Sequence, residues 1–203
     1  MSLVFYYTPM STAVTVNWAL SELEIPYEKV VIDLKARDQD KRGYRELDPN
    51  GRVPLVVHDG VPIFESAAIV IHLGETFGVE RGLFPAPGLE RAVALKWLVW
   101  TNVTFGAAVG RFLERSSAPP EKQDAEATER ARGEVERLLG ILEAELAKAP
   151  YLVAGSFSLV DVHLGAFVRW LSTMGFDLKR YPSVAAWQTR CVSRPGYVRA
   201  FES

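Results

Sequence analysis

Residues 52–66 read RVPLVVHDGVPIFES, and this stretch determines how the first part of the chain folds. Two short apolar runs flank an Asp-Gly pair at 59–60, which is the turn chemistry of a tight β-hairpin. Pro54 opens the first run, and Glu65 followed by Ser66 closes the second. The stretch therefore predicts two antiparallel strands with unusual chemistry at the open end of the hairpin.

Strand and helix patterns alternate before this hairpin. The segments 3–7 (LVFYY) and 27–33 (YEKVVID) are rich in β-branched and aromatic residues, and 11–23 carries apolar residues at helical spacing. A charged, weakly periodic segment precedes the hairpin, and a helix is predicted at 66–77. In the resulting order βαβαββα, a right-handed crossover makes the first two strands parallel. We therefore expect an α/β thioredoxin-like domain with a mixed four-stranded sheet over residues 1–78.

The pattern changes after a proline-rich break, FPAPG, within a linker predicted at 79–88. Beyond it only helices are predicted, at 89–115, 119–149, 159–174 and 183–193, with a short C-terminal piece. The second of these carries the apolar stripe Leu138, Leu139, Leu142 and Leu146. We therefore expect an all-α domain over residues 89–203.

Composition excludes several classes of function. Apolar residues make up 48% of the chain and the net charge is −2, so no electrostatic footprint for nucleic acid is present. The single cysteine, Cys191, cannot form an internal disulfide, which fits a reducing compartment. No apolar run approaches the roughly 20 residues that span a bilayer. The three histidines show no metal-ligand spacing. We expect a cytoplasmic protein without a metal.

The loop Thr8-Pro9-Met10-Ser11 lies between the first strand and the first helix, where thioredoxin-like domains carry their reactive group. Both thiols of a Cys-Pro-x-Cys loop are absent, so dithiol exchange is excluded here. A serine hydroxyl at a helix N-terminus can donate to a thiol sulfur and stabilise the thiolate. The alternative is that Ser11 or Thr8 only caps the helix.

The ends of the hairpin carry groups that suit a short peptide. If the Val53-Pro54 bond is cis, the Val53 N–H and C=O can face outward and pair with a peptide in the manner of strand addition. At the start of the next helix, Ser66 and the backbone N–H can bind a carboxylate, and Glu65 can bind an ammonium. Ordinary capping and an edge strand explain each feature separately, so the information lies in their combination.

The chain resembles the glutathione S-transferase superfamily along essentially its whole length. The similar motifs are YYTPMS, DPNGRVP, FESAAIVIHL, FPAPG and GSFSLVDVHLGAF. The resemblance implies that glutathione is the co-substrate and that no other cofactor is needed. It implies glutathione-binding roles for the following residues: Arg52, Val53, the cis-proline Pro54, Glu65, Ser66 and, more loosely aligned, Lys41.

The resemblance leaves the thiol-activating group open. Ser11 matches the serine of members with a Pro-x-Ser loop, whereas Tyr6 falls where tyrosine-type members place their hydroxyl. Thr8 and Thr12 are further alternatives, and a backbone N–H can also do this work. Ser11 is the candidate we carry forward, with Tyr6 as the alternative. By contrast, Ser158 and Asp161 stand three apart at a helix start and predict a structural capping box.

The implied function is a glutathione transferase, active in detoxification as a homodimer, that adds the glutathione sulfur to a small hydrophobic electrophile. The alternatives are a glutathione-dependent peroxidase or isomerase, and a non-catalytic transferase-like binding protein. Some family members line the electrophile pocket with the first long helix, which makes Phe105, Arg111 and Phe112 candidates for that wall.

Overall fold

The computed structural model of the protein describes residues 2–122 and 124–202. Within this part of the chain, four strands form one mixed sheet in the order β2-β1-β3-β4. The strands are β1 (Leu3–Tyr7), β2 (Glu28–Val31), β3 (Leu55–His58) and β4 (Val61–Phe64). β1 pairs parallel with β2 and antiparallel with β3, and β3 pairs antiparallel with β4. The predicted thioredoxin-like arrangement of the sheet is confirmed.

Three helices accompany the sheet in the order that the sequence predicts. They are α1 (Val14–Leu23), the short α2 (Arg42–Arg45) and α3 (Ser66–Leu73). A 3-10 turn at Asp38–Asp40 precedes α2, and a π-helical turn at Gly74–Gly78 extends α3. The charged segment before the hairpin is therefore two short helical turns.

The two faces of the sheet are covered differently. On one side, Phe5 of β1 is fully buried, and α1 and α3 pack on each other, with α3 also packing on β3; the fully buried side chains of these two helices include Trp18, Leu20, Ile69 and Leu73. On the other side, buried Ile32, Tyr44 and Leu55 form a smaller cluster against which Tyr6 and Val53 pack. Alternation along β1 thus sends Phe5 and Tyr6 to opposite faces.

Residues 85–193 form a second compact unit made of helices. Its helices are α4 (Leu89–Trp100), α5 (Ala107–Ser116), α6 (Ala125–Leu146), α7 (Leu159–Thr173) and α8 (Pro182–Val192). A π-helical segment, Thr101–Gly106, joins α4 to α5, so the predicted helix at 89–115 is one rod with a wider turn inside. The predicted leucine stripe of α6 is buried.

The rod Leu89–Ser116 is long and apolar enough, by length and composition alone, to cross a membrane, which the sequence analysis did not anticipate. Its buried residues recur every three or four positions, as expected for a helix with one face in a protein core. They are Ala94, Trp97, Leu98, Thr101, Phe105, Ala108, Val109, Phe112 and Leu113. A core helix passes the same test, and this spacing favours that interpretation.

The predicted capping box at the start of α7 is present. Ser158 caps the helix, and the Asp161 carboxylate accepts the Ser158 N–H at 2.9 Å. Asp161 also accepts the Leu152 N–H at 3.2 Å and the Trp187 indole N–H at 2.9 Å. Burial raises the pKa of Asp161 to about 6, although these donors favour its charged form. The group is structural, as the sequence suggested.

The C-terminal helix differs from the predicted domain division. α9 (Pro195–Glu202) packs against α1, and the chain from Arg194 onward belongs with the residues up to Phe84. The contacts that hold it there are specific: Arg194 donates with two N–H groups to Glu22, whose side chain is 4% exposed, and the Tyr197 ring packs edge-on against Trp18 at 4.9 Å. The prediction of one helical domain over 89–203 missed this return, since nothing local in the sequence marks it.

Candidate functional site

Three connections meet at one end of the sheet. Tyr6 pairs with Leu55 across β1 and β3, and Leu55 pairs with Phe64 across β3 and β4. Because both pairs are antiparallel, the end of β1, the start of β3 and the end of β4 lie at the same edge. The loop from Thr8, the turn before Leu55 and the junction at Glu65 therefore emerge side by side.

The turn before β3 contains the cis peptide bond that the sequence analysis considered. The Val53-Pro54 bond is cis, Pro54 is buried and Val53 is half-buried. The Val53 carbonyl accepts a 3.3 Å hydrogen bond from the hydroxyl of exposed Thr12. Within the described part of the chain, no hydrogen bond from the Val53 N–H is present. Val53 thus offers a donor and an acceptor, as an edge strand does.

Buried polar groups hold the peptide that precedes Val53. Asp48, 1% exposed, accepts the Arg52 N–H at 2.9 Å. The hydroxyl of Tyr44 donates to the Arg52 carbonyl at 2.5 Å. Burial, followed by the charge of Asp48 and by Tyr6, raises the pKa of Tyr44 above its ordinary value. Neither Tyr44 nor Asp48 was predicted from the sequence; the Asx-turn chemistry of DPNG was the available signal for Asp48.

The junction between β4 and α3 carries the predicted pair of polar residues. Glu65 is exposed and occupies the N-cap position of α3, with φ 69° and ψ 116°. Its carbonyl accepts the first helical hydrogen bond, from the Ile69 N–H at 2.9 Å. Ser66 is the first helical residue and is 7% exposed. A non-glycine residue at this backbone conformation is strained, and such strain concentrates at binding sites.

In the loop after β1, the side-chain hydroxyl groups donate hydrogen bonds to backbone carbonyls. Thr8 donates to the Ile32 carbonyl at 2.5 Å. Ser11 donates to the Thr8 carbonyl at 2.7 Å and accepts the Ala13 N–H at 3.2 Å. Because a hydroxyl has a single proton, Ser11 has to leave Thr8 before it can donate to a ligand.

The start of the first helix lies later than predicted. α1 begins at Val14, and Ser11 precedes it within a turn whose hydrogen bonds run from the Val14 and Thr15 N–H groups to the carbonyls of Ser11 and Thr12. Pro9 is exposed in this turn, and Met10 is fully open to solvent and has φ 60°. Ser11 therefore caps a helical turn, which is the structural alternative of the sequence analysis.

The alternative catalytic candidate, Tyr6, faces the smaller cluster. Its ring meets the ring of Tyr44 edge-on at 5.9 Å and packs with Ile32 and Leu55. Tyr6 is half-buried within β1, whereas Ser11 lies in the loop beyond it. The Tyr6 hydroxyl therefore belongs to a strand and the Ser11 hydroxyl to the loop that follows it.

The two basic candidates are exposed. Lys41 pairs with Asp38 at 2.6 Å, and this contact raises the pKa of the Lys41 ammonium. Arg52 is exposed at the cis-proline turn, with both of its backbone polar groups bonded to the protein. Arg52 is thus placed beside Val53, while Lys41 lies on the segment before it and already has a carboxylate partner.

The three candidates for an electrophile wall lie in the helical unit. Phe105 is fully buried and stacks on Trp100 at 5.4 Å. Phe112 is 5% exposed and packs edge-on against Phe176. Arg111 donates to both carboxylate oxygens of Glu134, at 2.8 and 2.9 Å. Rings this deeply buried have almost no face left for a ligand, so Phe105 and Phe112 pack within the core of the helical unit.

The histidines do not form a metal centre in the described residues, since residues 2–122 and 124–202 hold no group of three or more His, Cys, Asp or Glu side chains placed to bind an ion. His58 Nδ1 lies 2.8 Å from His72 Nε2, which makes a pair. His163 is fully buried and its Nε2 lies 2.7 Å from the Asn102 amide oxygen.

A thioredoxin-like sheet with a cis-proline turn, followed by an all-helical unit, defines the class of glutathione transferase folds. Residues 1–75 match the family model for the glutathione S-transferase N-terminal domain, and residues 100–195 match that for the C-terminal domain. The chain belongs to the glutathione S-transferase family.

Curated relatives and solved structures agree with this membership. Glutathione S-transferase GstB of Escherichia coli (strain K12) is 31% identical, with 87% of this chain and 86% of the relative aligned. Glutathione S-transferase 2 of Schizosaccharomyces pombe is 29% identical over 91% and 87% of the two chains. The solved structure of the glutathione transferase URE2P6 of Phanerochaete chrysosporium, in complex with oxidized glutathione, superposes with a TM-score of 0.91 at 26% identity. The match covers 99% of this chain and 95% of that one.

Proposed function

We propose that the protein is a glutathione transferase that binds glutathione at the end of the sheet where β1, β3 and β4 meet. The observation that carries this proposal is the unpaired Val53 N–H beside the cis Val53-Pro54 bond. Glutathione is a short peptide, so its cysteinyl backbone can pair with Val53 as an added strand. Family membership and the relatives that bind glutathione support the assignment.

The ends of glutathione have partners of suitable charge. Its γ-glutamyl carboxylate fits the N-terminus of α3 at Ser66, where the helix N–H groups favour an anion. Its ammonium fits the exposed carboxylate of Glu65. Arg52 is exposed beside Val53 and suits the glycyl carboxylate better than Lys41, which is paired with Asp38.

The proposed chemistry is activation of the thiol. A free thiol has a pKa of about 8.5, and a hydroxyl that donates to the sulfur lowers it. Ser11 is the proposed donor, because a charge-assisted bond to a thiolate is stronger than its present neutral bond to the Thr8 carbonyl. The thiolate then attacks an electrophilic carbon of a small hydrophobic substrate, a C–S bond forms, and the leaving group departs with its electron pair.

A second candidate is a glutathione-binding protein without transfer chemistry. The hydroxyls of Thr8, Ser11 and Thr12 all donate to backbone carbonyls, and this observation favours it. Peroxidase or isomerase activity would use the same bound thiolate. The proposal extends to a cytoplasmic homodimer with a role in detoxification.

Calorimetric titration with glutathione, combined with a panel of chlorinated nitroaromatics and hydroperoxides, tests the proposal. We expect micromolar to millimolar binding and turnover of at least one aromatic electrophile. Binding that Ser66→Ala weakens, without turnover of any electrophile, identifies the binding protein instead. The absence of glutathione binding by the unmodified protein contradicts both candidates.

A further inference from the structure

Two consecutive peptide groups before Val53 are fixed by buried side chains. The Asp48 carboxylate accepts the Arg52 N–H with one oxygen, and with the other it accepts the backbone and side-chain N–H groups of Asn50, at 2.9 and 3.0 Å. Tyr44 donates to the carbonyl of Arg52 at 2.5 Å. That carbonyl belongs to the same amide as the Val53 N–H, so one side chain holds the group that the ligand would meet.

The position of Tyr44 is itself well determined. Its ring is 6% exposed and packs with Ile32 and Leu55, and it contacts the ring of Tyr6 edge-on. Burial, together with the nearby carboxylate of Asp48, raises the pKa of Tyr44, so the phenol keeps its proton at physiological pH. The hydroxyl therefore acts as a hydrogen-bond donor.

The hydrogen bond from Tyr44 to the Arg52 carbonyl also determines the direction in which the Val53 N–H points, because both groups belong to one planar amide. The 52–53 peptide is trans, so its C=O and N–H point in opposite directions in one plane. When Tyr44 holds the oxygen on the protein side, the N–H of Val53 is directed away from the protein interior. A hydrogen bond to the oxygen also polarises the amide and strengthens the N–H as a donor.

We propose that Tyr44 is a positioning residue for ligand binding, because it orients and polarises the Val53 N–H that meets the cysteinyl carbonyl of glutathione. Asp48 supports it by fixing the preceding peptide. The inference rests on the proposed function, since it concerns the same binding site. Tyr44 thus contributes to the affinity of the protein for the cysteinyl backbone of glutathione without contacting the ligand itself.

The first test is Tyr44→Phe, which removes one oxygen atom and leaves the ring in its cluster. We expect glutathione to bind about fivefold to tenfold more weakly by calorimetry, the effect of one hydrogen bond. Turnover at saturating glutathione should stay within about twofold, because the change acts on KM. Tyr181→Phe is the matched control, since Tyr181 also donates to a backbone carbonyl, that of Glu136 at 3.2 Å. This control should leave glutathione binding unchanged.

The second test uses a ligand that cannot accept from Val53. An alkene isostere of the cysteinyl–glycyl amide keeps the planar shape of glutathione but lacks the carbonyl oxygen. The loss caused by Tyr44→Phe should disappear with this probe, whereas a general structural defect would weaken both ligands equally. An equal loss with both ligands, or no loss with glutathione, overturns the role of Tyr44. If the unmodified protein binds no glutathione, the proposed function fails as well, which is a distinct result.

Discussion

The hydroxyl of Ser11 donates a 2.7 Å hydrogen bond to the carbonyl of Thr8, three residues earlier in the loop that follows β1. The same oxygen accepts the Ala13 N–H, so the side chain closes the turn that leads into α1. One hydroxyl therefore stabilises the loop in the ligand-free protein and is the proposed donor to a bound thiolate. These two roles predict separable effects on stability and turnover.

Replacement of Ser11 by Ala should lower turnover with glutathione and an aromatic electrophile by about tenfold to a hundredfold, the value of a hydrogen bond to a charged group. The pH at which the rate reaches half its maximum should rise, because the bound thiol titrates closer to about 8.5. Steady-state rates between pH 6 and pH 10 measure both effects. Thr15→Val is the matched control, since Thr15 donates to the Thr12 carbonyl at 3.0 Å and should affect only stability. Unchanged turnover of Ser11→Ala removes Ser11 from its role.

Replacement of Glu65 by Gly should move stability and binding in opposite directions. Glycine adopts φ 69° and ψ 116° without strain, so the substitution should stabilise the folded state by about 1–3 kcal/mol. The greater freedom of glycine in the unfolded chain offsets about 0.5–1 kcal/mol of this gain. We therefore expect a free energy of unfolding that rises by about 1 kcal/mol, and weaker glutathione binding. Urea unfolding and calorimetry measure the two quantities. Glu65→Ala should weaken binding without the gain, and a Gly variant that is no more stable than Ala argues against strain.

The fold was predictable because its signals are local. Short runs of β-branched, aromatic and other apolar residues, together with the Asp59-Gly60 turn, indicate the sheet, and the leucine stripe of α6 indicates a helix face. The return of α9 to α1 was not predictable, because its contacts join residues far apart in the chain, such as Glu22 and Arg194, which are 172 positions apart.

The candidate site was predictable only in part. The motif around Val53 and Pro54 marks a cis-proline turn, and the structure contains one. Whether a loop hydroxyl is free depends on its rotamer and on neighbouring carbonyls. The hydrogen bond from Ser11 to the Thr8 carbonyl could therefore not be predicted from the sequence pattern. The support of Val53 by Tyr44 was invisible for the same reason, because it requires a side chain eight residues before Arg52 to fold back onto it.

Replacement of Arg194 by Ala should destabilise the N-terminal unit by about 3 kcal/mol, because it leaves the buried carboxylate of Glu22 without its ion-pair partner. Arg199→Ala is the matched control on the same helix. Its pair with Glu24 is 49% and 70% exposed, and such pairs contribute less than about 1 kcal/mol. Urea unfolding followed by fluorescence measures both. The double variant Glu22→Gln with Arg194→Ala should recover part of the loss, and no recovery would argue against an unpaired charge as its cause.

His163 should make the protein lose stability in acid. Burial lowers the pKa of His163 from 6.5 to about 3, so below pH 6.5 the unfolded chain binds a proton that the folded chain does not. Stability therefore falls as the pH drops from 6.5 towards 3, and at pH 4.5 the loss is on the order of 2–3 kcal/mol. His163→Gln keeps an N–H donor for the Asn102 oxygen but does not titrate. Urea unfolding gives the free energy of unfolding at pH 7 and at pH 4.5. The decrease between the two pH values should be smaller for this variant than for the unmodified protein, by about the amount assigned to His163. Equal differences for both proteins would mean that His163 is already protonated when folded, or that it reaches solvent.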